Sequence, residues 1–245
     1  MGFYTTEKEN KEYYDQYPVN NKGKFQRRYK LDVLNDPYFL KYATRRINFV
    51  LDNGLKKNAV VLDLGCGTGI YGELLTKKRP DITIINSDIS QTFLTINRGS
   101  LKFQSDSKKI PLKDNAVDYV LCFELFHHVP CLEATLDELR RVVREGIFVN
   151  EVNSNNPLCL TWHIIQKDER RLLSNNFFRL RGSIRKRFSM AFFRYFEYIP
   201  YFRPILNRYT FDFLYTYLEL LTKFPVLKYF SGNYFMYCKK DNNTN

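Results

Sequence analysis

Three glycines alternate with other residues directly after a short apolar run, at Gly65, Gly67 and Gly69. In an open α/β sheet, ligands bind beyond the carboxyl ends of the strands, where a glycine turn lets the backbone approach the ligand closely. The third glycine comes one residue earlier than in the dinucleotide-binding pattern Gly-x-Gly-x-x-Gly, and Ile70 stands in its place. The turn therefore predicts a ligand at a strand end but does not by itself identify that ligand.

Polar side chains stand where three of the predicted strands end. Asp88 follows the second strand, 19 residues after Gly69, and can accept hydrogen bonds from both hydroxyls of a ribose. Asp106 and Ser107 follow the third strand and can pair with the exocyclic amine of an adenine. Asp63 precedes the glycines, where a carboxylate can meet a cationic amine. Together these positions predict a ligand that carries an amine, a ribose and an adenine.

Short apolar runs alternate with helix-length segments through the middle of the chain. We expect strands at 59–64, 82–85, 101–104, 117–123 and 147–149, and helices at 37–55, 68–78, 90–98 and 132–144. Gly146 is expected to end the last of these helices. The alternation predicts βαβ units and a parallel, doubly wound α/β sheet, whose carboxyl edge would gather the polar residues named above.

The alternation stops after Asn150, and the composition changes there. Between Lys167 and Arg208 there are 11 basic and 3 acidic residues, and 21 of the 61 residues from Phe177 to Tyr237 are Phe or Tyr. We predict an N-terminal helical cap at 1–55, an α/β core at 56–151 and a mostly helical, basic and aromatic insertion at 152–230. The final strand of the core and a tail would occupy 231–245, and one strand-like run, at 234–239, is evident after 152.

Composition excludes several classes of protein. A chain of 245 residues with 44% hydrophobic residues can bury one sizeable core, and it contains no apolar run of 18 residues that could cross a membrane. Five widely spaced cysteines without a Cys-x-x-Cys pair predict reduced thiols, neither a disulfide framework nor a metal site. The N-terminus lacks the apolar segment of a secretory signal, so we expect a cytoplasmic protein.

The motifs in combination resemble those of a known family. The segment 62–69, LDLGCGTG, is similar to motif I of class I S-adenosylmethionine-dependent methyltransferases, and Asp88 to the acid of motif II that binds the ribose. The stretch 106–118, DSKKIPLKDNAVD, resembles the type 11, ubiquinone/menaquinone-methyltransferase-like branch of that family. So do FHHV at 126–129 and LRRV at 139–142, and YYDQY at 13–17 resembles the cap that closes over the cofactor. The usual Pro-Gly-Gly before strand five is reduced to Arg-Glu-Gly at 144–146.

This resemblance implies S-adenosyl-L-methionine as cofactor, without a metal. It also implies a Rossmann-like, seven-stranded sheet in the order 3-2-1-4-5-7-6, with strand seven antiparallel. The residues that the resemblance and the strand positions assign to cofactor binding are Tyr14, Tyr17, Asp63, Gly65, Cys66, Gly67, Thr68, Gly69, Asp88, Ile89, Asp106, Ser107 and Phe123.

Methyl transfer depends mainly on holding the sulfonium methyl in line with the acceptor and away from water. A base helps when the acceptor is a hydroxyl or an amine, and His127 and His128 are the candidates because they follow the fourth strand. The alternative is that they only shape the turn there. Glu124 and Glu151 are also expected at strand ends, as walls of the site. Cys66 has no base beside it and is not expected to act as a nucleophile.

The basic, aromatic insertion allows several interpretations. Its rings and cations can cover a pocket for an anionic small molecule or lipid-linked substrate, bind RNA, or lie on an anionic membrane surface. Alternatively, the rings belong to the hydrophobic core and the cations form a solvent-exposed face without a ligand. We favour a small-molecule or lipid-like acceptor, with peripheral membrane contact left open and nucleic acid disfavoured. The alternatives are an RNA methyltransferase and a domain that binds the cofactor without catalysis, and the sequence does not indicate an oligomeric state.

Overall fold

A computed structural model describes residues 7–20, 37–157, 159–161, 170–196, 217, 220–221 and 223–241 of the chain. The run at 209–221, which is rich in aromatic residues and belongs to the predicted insertion, falls largely outside this set. Within the described residues, no helix combines the length and the apolar character needed to cross a bilayer.

A seven-stranded sheet forms the centre of the molecule. Its strands are β1 (Val60–Leu64), β2 (Thr83–Asp88), β3 (Lys102–Gln104), β4 (Val117–Phe123), β5 (Val143–Val152), β6 (Phe188–Phe196) and β7 (Asn233–Lys240). They lie in the order β3-β2-β1-β4-β5-β7-β6. The first five strands pair in parallel, whereas β7 is antiparallel to both β5 and β6. The predicted fold class and strand order are confirmed.

Helices cover both faces of this sheet. They are α1 (Glu7–Asn20), α2 (Pro37–Asp52), α3 (Ile70–Lys78), α4 (Gln91–Ile96), α5 (Leu132–Val142) and α6 (Phe177–Arg185), and short 3-10 helices span Arg170–Leu173 and Leu227–Phe230. The apolar stripe of α5 packs with α6 on one face, and the apolar residues of α2 and α3 pack on the other. Most of β1, β4 and β5 is therefore buried on both sides, which explains the apolar runs in these strands.

The sixth strand lies inside the segment predicted to be mostly helical. Helix α6 agrees with that prediction, but Phe188–Phe196 is a strand that pairs with the outer edge of β7. Its register shifts between Met190 and Phe192, so the alternation that identifies a strand is broken within it. Because β7 is buried along most of its length, its open edge needs a neighbouring strand to satisfy its backbone groups.

Gly146 has a different role from the predicted one. Helix α5 ends at Val142 and β5 begins at Val143, with no turn between them. Gly146 lies within β5, where an added Cβ would stand 2.3 Å from the carbonyl oxygen of Cys238 on β7. The glycine therefore permits close approach of two strands and does not end the helix.

Candidate active site

The glycine turn between β1 and α3 adopts backbone conformations that favour glycine. The φ angles of Gly65, Gly67 and Gly69 are +72°, +51° and +79°. The N–H groups of Gly65 and Cys66 both donate to the carbonyl oxygen of Ser87, at 2.8 and 3.1 Å. The turn is thereby fixed to the carboxyl end of β2, beside the predicted ribose-binding acid.

The three glycines differ in what surrounds them. A Cβ at Gly65 would lie 2.8 Å from Leu125 Cδ1, and one at Gly69 would lie 2.5 Å from the Asn97 side-chain amide. At Gly67 an added Cβ would meet no described atom within 4 Å. Gly65 and Gly69 therefore allow tight packing within the protein, whereas the backbone at Gly67 faces space that a ligand can occupy.

Asp88 joins the glycine turn to the start of α4. Its Oδ2 accepts the N–H of Gly67 and its Oδ1 accepts the N–H of Ser90, each at 2.8 Å. Burial raises the pKa of this carboxyl to about 6, although the backbone donors oppose that effect. A carboxylate can accept about four hydrogen bonds, so the backbone donors leave room for a further donor such as a ribose hydroxyl.

Asp63 is buried at the end of β1, and its Oδ2 has no hydrogen-bond partner among the described residues. Burial first, and then the nearby charge of Asp88, raise the pKa of Asp63 to about 7. Asn86 faces it from the paired position on β2, and its Oδ1 is also buried without a partner in the described structure. A buried, unpaired acceptor is suited to a cationic group or to holding a proton itself.

The residues predicted to hold the adenine lie in the loop after β3. Asp106 Oδ1 accepts the N–H of Lys108 at 3.1 Å, and Ser107 Oγ is 3.0 Å from Thr135 Oγ1 on α5. Ser105, just before them, donates its N–H to the carbonyl oxygen of Asp88 at 3.0 Å. The loop is therefore held beside Asp88, and both predicted side chains are half-buried at the same edge of the sheet.

Helix α1 lies across this edge. Asp15 Oδ1 accepts the hydroxyl of Ser90, after β2, at 2.9 Å. The Tyr14 hydroxyl is 2.6 Å from Nδ1 of His128, which follows β4. Since β1 lies between β2 and β4, these two anchors place α1 over the glycine turn. Tyr17 belongs to the same helix, but its side chain lies outside the described residues.

The two histidines after β4 are held differently. His127 is 3% exposed, and its Nδ1 lies 2.5 Å from Oε2 of Glu151. The other oxygen of Glu151 accepts the N–H of Phe126 at 2.6 Å. The rings of His127 and His128 are 4.0 Å apart, and His128 is only half-buried. The sequence placed Glu151 at a strand end, but its pairing with His127 required the structure.

A buried arginine is a feature that the sequence analysis missed. Arg46 on α2 is fully buried, and its Nε donates to Oδ1 of Asn150 at 2.6 Å. Its guanidinium also lies 3.4 Å from Glu124 Oε1, an atom that accepts the Tyr42 hydroxyl at 2.7 Å. Glu124 follows β4 with a φ of +53°. The signal in the sequence is an arginine within the apolar stripe of α2, beside Ile47.

Four further predicted residues lie around the turn. Burial raises the pKa of the Cys66 thiol well above its usual value, which disfavours a thiolate nucleophile. Its sulfur accepts a hydrogen bond from the Asn97 amide at 3.3 Å. Thr68 is buried in the turn. Phe123 is buried against Tyr71 of α3 at a ring distance of 5.1 Å. Ile89 directly follows Asp88, and its carbonyl oxygen accepts the Gln104 amide at 2.7 Å.

Sequence comparisons point to one type of enzyme. Residues 62–149 match a family described as "Methyltransferase domain". An uncharacterized protein of Methanocaldococcus jannaschii is 39% identical over 90 residues, covering 36% of this chain and 38% of its own length. The ribosomal RNA small subunit methyltransferase C of Haemophilus influenzae is 27% identical over 150 residues, or 61% and 42% of the two chains. The ubiquinone biosynthesis O-methyltransferase of Coxiella burnetii is 26% identical over 132 residues, or 50% and 53%.

Solved structures share the fold. In a complex of the Haloferax volcanii Trm112 methyltransferase activator with a methyltransferase, the matching chain has a TM-score of 0.63 at 15% identity, covering 96% of this chain and 99% of that one. A SAM-dependent methyltransferase from Archaeoglobus fulgidus has a TM-score of 0.56 at 18% identity, covering 81% and 93%. The matches to the curated relatives span roughly two fifths to half of those proteins.

Proposed function

Because residues 62–149 match a methyltransferase domain family and their motifs resemble those of class I S-adenosylmethionine-dependent methyltransferases, we propose that this chain transfers a methyl group to a small-molecule or lipid-like acceptor. The observation that carries the proposal is the bond between Asp88 and the N–H of Gly67. It joins the predicted ribose acceptor to the one glycine of the turn whose backbone faces open space, so both form a single binding surface.

The residues present fit S-adenosylmethionine. Asp88 would accept the ribose hydroxyls, Gly67 would border the ligand, and the unpaired oxygen of Asp63 would face its cationic amine. Asp106 and Ser107 would border the adenine. When bound, this cofactor supplies a methyl group on a sulfonium, which is already activated for transfer.

The remaining chemistry that the chain must supply is orientation and exclusion of water. Helix α1 does both, because Tyr14 and Asp15 fasten it to the two strand ends that flank the glycine turn. Arg46 supports the opposite wall, since it holds Glu124 and Asn150 at the ends of β4 and β5.

His128 is the residue placed to take a proton from a hydroxyl or amine acceptor. For its Nε2 to accept a proton, the ring hydrogen must be on Nδ1, where it would donate to the oxygen of Tyr14. His127 acts as a positioning residue, because it is buried, bonded to Glu151 and in ring contact with His128.

Binding of S-adenosylhomocysteine, measured by calorimetry, tests the cofactor site. Asp88→Asn removes the charge that would bind the ribose hydroxyls, and hydrogen bonds to a charged group are worth about 1.5–3 kcal/mol each. We therefore expect the dissociation constant to rise by roughly 10- to 100-fold. Absence of binding by the wild-type protein would refute the proposed function.

Asp88 also supports the turn, so a pair of glycine variants provides an independent test. Gly67→Ala adds a methyl group in the open space and should weaken binding while leaving the fold intact. Gly54→Ala is the matched control, because Gly54 also has a positive φ, +93°, and no described atom within 4 Å of an added Cβ. Equal affinities of the two variants would contradict the placement of the ligand at Gly67.

A transfer assay with methyl-labelled S-adenosylmethionine identifies the acceptor. Phenolic and quinone-derived small molecules, lipid extracts and total RNA are offered separately. Label in the small-molecule or lipid fraction supports the proposal. Label in RNA would favour the second candidate, an RNA methyltransferase, which the relative from Haemophilus influenzae and the basic residues after 167 suggest. Cofactor binding without transfer to any fraction would favour a non-catalytic domain.

A further inference from the structure

A cationic groove lies at the outer end of the sheet, away from the predicted cofactor residues. It has a volume of about 320 Å³, and four of the seven described residues that line it are cations, with no carboxylate among the seven. The cations are Arg181 on α6, Arg194 on β6, and Lys223 and Lys228 near the 3-10 helix before β7. Four like charges around one groove favour a ligand that carries more than one negative charge.

Arg181 shows that this charge is not simply a solvated surface. Its Nε is buried and has no hydrogen-bond partner among the described residues. Its guanidinium lies 5.7 Å from the ring centre of Phe193 and 5.9 Å from that of Phe177. Arg187, six residues further along the same basic segment, instead binds Glu133 and Asp137, each at 2.5 Å. A buried N–H donor without an acceptor is costly, so nothing among the described residues compensates Arg181 at this atom, and its other guanidinium N–H groups can bind an anion in the groove.

The other lining residues form an aromatic wall. The ring of Tyr195 lies 4.7 Å from that of Phe193 and 5.4 Å from that of Tyr229, both edge to face. Tyr229 is 48% exposed. An apolar or aromatic body attached to the anionic group would therefore find surface to cover beside the cations.

Contacts from the candidate active site fix two walls of the groove. Asn175, just before α6, donates its amide to the carbonyl oxygens of Phe126 and Val129, on either side of the two histidines. Asn153, just after β5, donates to the carbonyl oxygen of Tyr229 at 2.8 Å. Tyr195 lies level with Glu151 across the sheet, because both pair with Tyr234. The groove thus opens at the same sheet edge as the histidines.

The distance along the sheet limits the size of a shared ligand. β6 lies three strands from β4, so the groove is roughly 14 Å from the end of β4 at about 4.8 Å per strand. We propose that this groove binds the phosphate group of the methyl acceptor, a phosphorylated molecule with an apolar or aromatic body long enough to reach the histidines. This inference rests on the proposed methyltransferase function and names its substrate class.

Phenyl phosphate is the probe, with phenol as its uncharged counterpart, and calorimetry on the full chain saturated with S-adenosylhomocysteine is the measurement. We expect phenyl phosphate to bind at least tenfold more tightly than phenol, and Arg181→Gln to weaken it at least tenfold. Arg179→Gln is the matched control, because this neighbouring arginine of α6 does not line the groove and binds the carbonyl oxygen of Ser174. It should leave the affinity unchanged.

Sedimentation with lipid vesicles distinguishes a lipid headgroup from a free phosphorylated molecule as the source of the phosphate. A lipid headgroup is supported if the wild-type protein sediments with phosphatidylglycerol vesicles but not with phosphatidylcholine vesicles, and if Arg181→Gln no longer sediments with either. Binding of phenyl phosphate alone supports a free phosphorylated acceptor. Equal binding by wild type and Arg181→Gln, or no binding of either probe, overturns the inference, and so does displacement of phenyl phosphate by a short RNA at lower concentration. Retained S-adenosylhomocysteine binding shows that the fold and the proposed function are intact, so a failure then concerns the groove alone.

Discussion

Replacing Asp63 by asparagine should change how the stability of the ligand-free protein depends on pH. Burial and the nearby charge of Asp88 raise the pKa of Asp63 to about 7, and its Oδ2 lacks a partner in the described structure. The neutral carboxyl can donate to Oδ1 of Asn86, which faces it from β2 and is also unpaired there. Asparagine keeps the shape and a donor but cannot ionise.

The magnitude follows from the difference between the folded and unfolded pKa values. The folded protein holds the Asp63 proton up to about pH 7, whereas an unfolded chain releases it near pH 4. The raised pKa therefore contributes its full amount to the free energy of unfolding below about pH 4. That contribution is lost as the pH rises toward 7. Between pH 5 and pH 8 the wild type should lose about 2.5 kcal/mol of stability relative to Asp63→Asn.

Urea denaturation of both proteins at pH 5, 6, 7 and 8, without ligand, measures this difference. Asp81→Asn is the control, because Arg79 and the N–H of Asn58 lower the pKa of this exposed carboxyl. Asp81 stays ionised throughout the range, so its substitution should cost the same free energy at every pH. A constant difference between the wild type and Asp63→Asn from pH 5 to pH 8 would refute the reasoning.

Three further substitutions test the site and its supports. Gly69→Ala should destabilise the protein by about 1–3 kcal/mol in urea denaturation, because its φ is +79° and the new Cβ would lie 2.5 Å from the Asn97 amide; an unchanged midpoint would contradict this. Arg46→Met should lower the free energy of unfolding by about 3 kcal/mol in the same measurement, because it leaves buried polar partners unpaired. A decrease of less than about 1 kcal/mol would show that those partners form other hydrogen bonds. Tyr14→Phe should lower kcat by about two- to tenfold and alter its pH profile, because it removes the hydrogen bond to His128; an unchanged profile would count against His128 as the base.

Much of the sheet could be predicted from sequence because its strands are local, continuous apolar runs buried on both faces. The run at 59–64 and the glycines after it are an example, and β1 begins and ends within one residue of the prediction. The edge strand β6 could not be predicted in this way. Its outer residues are exposed and its register shifts, so no regular period marks it, and its pairing depends on β7, nearly 40 residues away.

The candidate site was likewise predicted only in part from the sequence. The spacing of Gly67 and Asp88 identified both residues, but not the hydrogen bond that joins them. Cap residues were recognised by resemblance, whereas the contact between Tyr14 and His128 joins residues 114 positions apart. The position of Arg46 in the apolar stripe of α2 indicates that it is buried, but the sequence does not show that it binds Asn150 and Glu124.

The sequence by itself determined the alternation of strands and helices from β1 to β5, the glycine turn, and the acids at the ends of β1 and β2 and after β3, because each is a local pattern of residue type and spacing. Only the tertiary structure decided which side chains meet across the carboxyl edge: His127 with Glu151, Tyr14 with His128, and Arg181 with the rings beside it. The physical reason is that burial and pairing fix protonation and orientation, and both depend on neighbours that are distant in the chain.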